Sequence, residues 1–308
     1  MKGLLRSVIV VGLLAGGGYV GLRLWPIGDQ APRISLDGDA RRGAYLARAS
    51  GCVACHTDTA SQGPALAGGA PLDTPFGSFA PPNITPDLVH GIGSWTPDDL
   101  ARALREGVSP EGQPYYPAFP YEFYASFSDQ DIADLWAALA TVPAVAETRV
   151  QSDVGFPFNI RSGLKLWRAT ALSPAETAPL LGRTAEWNRG RELVEGAAHC
   201  GACHTGRGPM GGLDGAKLGG NDTLPGDNAA PSIQTGDLER EGWTQGALVY
   251  ALETGITPSG DVFGGSMAEV VEQGTSFLDE ADRRAIAVYL MDSDPVGGAT
   301  TDAVAQLR

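Results

Sequence analysis

The sequence predicts a mainly α-helical protein, built as two tandem helical units with long loops behind one N-terminal helix. Three observations carry this. First, landmarks recur in fixed register. Trp95, Gly107 and Gly112 stand at the same offsets from Cys52 as Trp243, Gly255 and Gly260 do from Cys200. Such self-similarity marks duplication. Second, the paired stretches 127–139 and 278–290 carry Ile132, Leu135, Trp136 and Leu139, or Ile286, Tyr289 and Leu290, spacings that make one apolar helix face. Third, the chain opens MKGLLRSVIVVGLLAGGGYVGLRLWP, an apolar run flanked by cations.

Taken in order, residues 1–26 form a membrane anchor or signal segment. The uncharged run Ser7 to Leu22 is short for a span and suits a secretory segment, but no small-x-small cleavage site follows it. The longer stretch Gly3 to Leu24 is enough to span with Arg6 and Arg23 snorkelling, and Tyr19 and Trp25 suit the interface. Either reading exports the body, and Lys2 and Arg6 would stay inside. Residues 38–142 form the first unit and 187–292 the second. In each, a leading helix (around 42–46 or 189–193) precedes a Gly/Pro-rich loop, a central helix near Trp95 or Trp243, and a terminal helix. Gly43 and Gly190 are expected where the leading helix crosses the terminal one, and Asp129 and Asp279 at the terminal helix starts. Residues 143–186 form a connecting strap whose Ile160, Leu164, Trp167 and Ala171 read as a helical stripe. Beside it runs a basic stripe of Arg161, Lys165 and Arg168, read as a solvated face or as a dock for headgroups, haem propionates or a partner. Residues 293–308 form a polar tail.

The net charge of −14 argues against nucleic-acid binding, which needs a basic surface, and permits steering toward a basic protein. The four cysteines carry the chemistry. Cys52, Cys55 and His56 form CVACH; Cys200, Cys203 and His204 form CGACH. Cys-x-x-Cys-His places two thiols and an imidazole on one helical turn, the requirement for covalent attachment of a c-type haem with a proximal histidine. Two such motifs predict two covalently bound haem c groups. The competing readings are a zinc half-site or a redox dithiol, and only His90 and His199 remain as further histidines. The carbonyls of Pro64 and Pro209, a short way past the proximal histidines, are candidate acceptors for the imidazole Nδ1 proton.

Met267 is the expected distal ligand of haem 2, opposite His204. Met210 is too near the motif and Met291 ends a helix. The position standing as far beyond Cys52 as Met267 stands beyond Cys200 is Phe119. Phenylalanine cannot bind iron, so haem 1 has His56 and an open question opposite it. The iron is five-coordinate under Phe119, or His90, Tyr115 or Tyr116 replaces the sulfur, or the ligand is water, a second-unit residue or a partner. With sulfur on one iron only, haem 2 is expected at the higher potential. His199, beside Cys200, is expected to be structural or to tune the haem.

TPFGSFAPPNITPD (74–87), GIGSW (91–95), YPAFPY (116–121), FPFNIR (156–161), CGACHT (200–205) and GGSMAEVV (264–271) together make the chain resemble the c-type cytochrome subunits of membrane-bound bacterial dehydrogenases acting on alcohols, gluconate or aldehydes. The resemblance covers roughly residues 38 to 292. It implies two tandem class I cytochrome c-like domains, haem thioethers at Cys52, Cys55, Cys200 and Cys203, proximal His56 and His204, and distal Met267. It implies a periplasmic dehydrogenase as electron donor and a terminal oxidase, quinone or soluble cytochrome as acceptor. It places the protein at the inner membrane by a single N-terminal anchor, with its haems in the periplasm. Two departures stand out: the family commonly has three haem motifs where this chain has two, and its YPAMPY-like methionine is Phe119. The rival from another class is a peroxidase-like or ligand-binding haem enzyme at haem 1, with Glu122 or His90 as acid–base group.

Overall fold

A computed structural model describes residues 2–28, 33–146, 151–225 and 228–292; the expected polar tail lies outside them. The chain starts with α1 (Lys2–Leu24). The first half holds α2 (Ala40–Ala49), α3 (Cys52–His56), a hairpin of β1 (Leu72–Thr74) and β2 (Gly77–Phe79), α4 (Pro97–Ala101) continued by a π-helical turn Arg102–Glu106, α5 (Tyr121–Tyr124) and α6 (Asp129–Leu139). The connector holds α7 (Gly163–Ala171). The second half holds α8 (Ala185–Glu192) with a π-helical turn Leu193–Ala197, α9 (Gly201–His204), a hairpin of β3 (Asn221–Leu224) and β4 (Asn228–Ala230), α10 (Thr235–Arg240), α11 (Gln245–Thr254), α12 (Gly265–Gln273), a 3₁₀ turn Thr275–Phe277 and α13 (Glu280–Leu290). The protein is mainly helical, as the sequence predicts.

Local chemistry sets the helix starts. Thr96 and Ser128 make reciprocal capping boxes with Asp99 and Asp131, and Asp279 caps α13 by accepting from the Asp282 amide. Several local bonds then recur in both halves. The Gly68 amide donates to His56 O and the Gly220 amide to His204 O, both at 2.9 Å. Tyr115 N donates to Gly107 O and Phe263 N to Gly255 O, both at 2.8 Å. Gly107 and Gly255 adopt φ of 60° and 78°, the left-handed helix end that glycine adopts without a Cβ clash.

The expected close crossings are present. A Cβ on Gly43 would lie 1.8 Å from Asp134 O, and one on Gly190 would lie 1.9 Å from Ala285 O. So α2 packs on α6 and α8 on α13 backbone to backbone. Each crossing is pinned by a forked ion pair. Arg42 donates to both carboxylate oxygens of Asp134 at 2.7 and 3.0 Å, and Arg189 to both of Asp282 at 2.8 and 2.7 Å. The Arg42 hydrogen bond holds the Asp134 carboxyl at about 2. Because that value is depressed, the pair's stabilisation is full above the unfolded carboxyl's value of about 3.9 and is lost as pH falls through about 2. Asp134→Asn should cost on the order of 1–2 kcal/mol at neutral pH, discounted for the exposed Arg42. Acid titrations of melting temperature should show the gap from the unmodified chain closing below about pH 4.

Buried apolar residues of both halves form one cluster, running from Ala47 and Leu135 to Val194 and Ile286. Polar links also cross between halves: Tyr45 donates its hydroxyl to Asp282 at 2.7 Å, and the Arg48 guanidinium lies 4.0 Å over the Phe277 ring.

Two expectations need correction. In the connector the helix begins at Gly163, so Ile160 precedes it and is 40% exposed; of the predicted apolar stripe only Trp167 is fully buried. The basic stripe is no free solvated face. Arg161 stacks over Tyr116, Arg168 stacks over Tyr121, and Lys165 donates to the carbonyls of Arg23 and Trp25 at 2.8 and 2.6 Å. Cations close a helix C-terminus favourably, so the strap ties α1 to the first half. At the N-terminus, α1 is one unbroken helix over the expected segment, but several of its apolar side chains lie outside the described residues. Among the described residues no helix is long and apolar enough to cross a membrane.

Candidate functional site

Each Cys-x-x-Cys-His motif folds as one helical turn, α3 and the Cys200-capped α9. The turn sets both thiols and the imidazole on the same short element, with Cys55 and Cys203 exposed and the histidines half-buried. His56 Nδ1 lies 2.7 Å from Pro82 O, and His204 Nδ1 lies 2.8 Å from Pro231 O. A carbonyl only accepts, so Nδ1 carries the proton and Nε2 keeps its lone pair for a metal. Burial pushes both imidazoles toward the neutral form, against the opposing pull of these carbonyls.

The acceptors are therefore not Pro64 and Pro209. Pro64 O takes the Ala67 amide in a local turn, and Pro209 is exposed. Pro82 and Pro231 follow the hairpins β1–β2 and β3–β4, which carry the chain back over the histidines. The available signal was a proline two places before Ile84 and before Ile233, at nearly equal separation from the proximal histidine of its own half.

Burial first, then the partner cysteine, pushes Cys52 and Cys200 up to about 12. Cys55 reaches the surface, yet the protein atoms packed around its turn, followed by the charges of Cys203 and Glu269, push its thiol up to about 11, so the two motifs are electrostatic neighbours. Among the described residues no group of three His, Cys, Asp or Glu is arranged to hold a metal ion. The donor set fits a porphyrin stapled through two neutral sulfurs with one imidazole facing its iron.

The residues expected at the two distal positions stand in different surroundings. Met267 sits in the first turn of α12, half-buried against the shared core, and α12 also packs on α3. Met210 is 61% exposed. Phe119 belongs to an aromatic group: its ring centroid lies 5.8 Å from Tyr115, 6.2 Å from Tyr121 and 6.0 Å from Tyr124. The candidate substitutes are otherwise engaged. His90 is exposed and its Nδ1 lies 3.2 Å from Asp87. Tyr116 donates its hydroxyl to Phe158 O at 2.9 Å. Tyr115 meets the Phe119 ring edge to face, and burial pushes its phenol up to about 12. Glu122 is 5% exposed, with its carboxyl raised by burial against the pull of Arg207 from the second half.

Sequence reasoning understated α5 and His199. Tyr124 on α5 is buried, and burial, followed by the charges of Cys52 and Cys55, raises its phenol well above the ordinary value. His199, half-buried, packs its ring edge to face on Tyr124.

No family model matches the chain. Among curated relatives, a protein named "Diheme cytochrome c-type" from Cereibacter sphaeroides is 41% identical over 299 residues, covering 94% of this chain and 98% of the relative. The fructose dehydrogenase cytochrome subunit of Gluconobacter japonicus is 37% identical, over 92% of this chain and 58% of that subunit. The gluconate 2-dehydrogenase cytochrome c subunit of Pantoea cypripedii is 40% identical, over 82% of this chain and 59% of that subunit. The chain thus spans a little over half the length of these two dehydrogenase subunits. It carries two covalently bound haem c groups. By residue chemistry, motif geometry and likeness along nearly its whole length, the chain belongs to the family of dihaem c-type cytochromes.

Proposed function

We propose that this chain is the electron-transfer subunit of a dehydrogenase system, without a catalytic site of its own. The observation that carries the proposal is the pair of Cys-x-x-Cys-His turns, each with its imidazole Nδ1 tied to a proline carbonyl and Nε2 left for iron. Cys52, Cys55 and His56 would hold haem 1; Cys200, Cys203 and His204 would hold haem 2, with Met267 opposite His204. Residues 38–142 and 187–292 act as two cytochrome units. Bound there, the haems supply one-electron Fe(III)/Fe(II) cycling at potentials set by axial ligation and burial. The chain's own part is to orient the imidazoles and to exclude water with the shared apolar core. Phe119 would cover the distal side of haem 1 with hydrocarbon. The phenols of its neighbours Tyr115, Tyr121 and Tyr124 are all raised by burial, so they hold their protons at neutral pH, which speaks for electron transfer over peroxide chemistry.

The dehydrogenase is the electron donor, and a terminal oxidase, quinone or soluble cytochrome is the acceptor. The apolar, cation-flanked run of the first 26 residues and the exported chemistry of haem c are the grounds for an inner-membrane anchor with the haems on the periplasmic side. The test is purification of the full chain from membranes of its native host. A co-purifying dehydrogenase whose substrate reduces the haems supports the proposal. Prompt peroxide turnover by the isolated chain, with no such reduction, would favour the enzyme reading.

The attachment sites make a separate prediction. Cys52→Ala together with Cys55→Ala should leave one haem per chain, on 200–203. The matching pair Cys200→Ala and Cys203→Ala should leave one on 52–55. Haem staining with intact-mass spectrometry reads the result.

A further inference from the structure

The two haem-binding turns do not merely share a chain; one pair of side chains, Tyr124 and His199, lies between them. Tyr124 ends α5 in the first half. Its hydroxyl donates to Ser50 O at 2.7 Å, just ahead of Cys52. The same oxygen lies 3.5 Å from Nδ1 of His199, the residue before Cys200, and the two rings meet edge to face with centroids 5.7 Å apart. His199 Nδ1 also lies 2.9 Å from Ala197 O, which can only accept, so Nδ1 is the protonated nitrogen and Tyr124 Oη receives its weaker branch.

The far edge of the His199 ring faces the first motif. A Cβ on Gly51 would lie 3.0 Å from His199 Cε1 and 3.6 Å from Nε2. Gly51 has φ of 68°, so a side chain there meets both backbone strain and the imidazole. His199 itself has φ of 39°, uncommon for a residue that is not glycine. Such a conformation persists where surrounding contacts over-determine it. Phe123 completes the wedge: its ring lies 6.2 Å from His199, and a Cβ on Gly201 would meet it at 3.3 Å. Thus α5 reaches one haem turn with Tyr124 and the other with Phe123.

We infer that Tyr124 and His199 are positioning residues that lock the two Cys-x-x-Cys-His turns against each other and thereby set how fast the two haems exchange an electron. The inference rests on the assignment of the haems to these two motifs. It is distinct from that assignment, because neither residue binds iron or forms a thioether. The hydrophobic core holds the halves together whether or not this pair is intact. What the pair adds is a hydrogen-bonded, strained contact running from Ser50 through Tyr124 to His199, which leaves the turns one separation.

The test uses the full, haem-loaded chain, with flash-reduction kinetics of exchange between the haems as the readout. Tyr124→Phe keeps the ring and removes the hydroxyl that bonds both turns; exchange should slow several-fold. His199→Ala should slow it about tenfold, equivalent to about 1.4 kcal/mol in the barrier. His199→Asn should recover most of the rate, because asparagine tolerates positive φ and its amide can donate. Two haems per chain and unchanged spin states are expected throughout. Unchanged exchange in both Tyr124→Phe and His199→Ala, with only a lower melting temperature, would overturn the inference and leave the pair structural. If His199→Ala fails to take up haem, Tyr124→Phe decides alone. Haem found elsewhere than on the two motifs of the unmodified chain would instead remove the assignment beneath it.

Discussion

Replacing Met267 with alanine should lower the reduction potential of one haem only, while two haems per chain remain. A thioether sulfur stabilises ferrous over ferric iron, and among the described methionines Met267 alone combines the right register with half-burial at the start of α12. The shift should be about a tenth of a volt or more, within the ~0.8 V that axial ligands span. The sulfur-to-iron charge-transfer absorbance of the oxidised protein should vanish with it. The reciprocal change, Phe119→Met, places a sulfur at the equivalent site of the first unit and should raise the other potential. Its ring now packs against Tyr115, Tyr121 and Tyr124, so Phe119→Met also removes aromatic contacts, and the gain in potential should come with a modest loss of stability. Separate redox titration of the two haems reads both effects. An unchanged spectrum in Met267→Ala would show that this methionine only packs in the core.

Alanine at Gly43 should be among the most damaging small substitutions in the chain. In an open helix, Gly→Ala stabilises by about 1 kcal/mol. Here the new Cβ would lie 1.8 Å from Asp134 O, and the obstacle is backbone, which cannot rotate aside. Parting α2 from α6 also stretches the forked Arg42–Asp134 pair. Overpacking of this kind costs about 1–3 kcal/mol and more when a helix must move, so the clash outweighs the propensity gain. Gly190→Ala should behave alike against Ala285 O at 1.9 Å. Gly246→Ala in α11 is the control: nothing lies within 4 Å of its Cβ, and it should be neutral or stabilising. Thermal unfolding followed by circular dichroism separates the outcomes. A melting temperature raised by Gly43→Ala would mean that the helices do not meet backbone to backbone.

Much of this was legible in one dimension, for a physical reason. Covalent haem attachment needs its donors within one helical turn, so Cys52, Cys55 and His56 must be adjacent in sequence to be adjacent in space. The same holds for the Gly43 and Gly190 crossings, since a helix face repeats at a fixed period. The proposal of Met267 as distal ligand comes only through the internal repeat, which made Cys200 a ruler for Met267 and exposed Phe119 as the exception. The imidazole acceptors were not legible. Pro82 and Pro231 are brought back to the histidines by whole hairpins, whereas the nearer Pro64 is spent on a local turn. The connector shows the same limit. Its helix was legible, but a run of cations does not reveal whether it meets water or, as here, Tyr116, Tyr121 and the end of α1. Contact between the halves, through Tyr45, Tyr124 and His199, is likewise a property of the fold rather than of any local pattern.

The most direct measurement is peptide mass spectrometry of the intact, matured chain after alkylation of free thiols. The account predicts haem mass on both the peptide containing Cys52 and Cys55 and the peptide containing Cys200 and Cys203, with no alkylated cysteine. An alkylated thiol pair in either peptide, in protein matured by a host competent to attach haem, would contradict it.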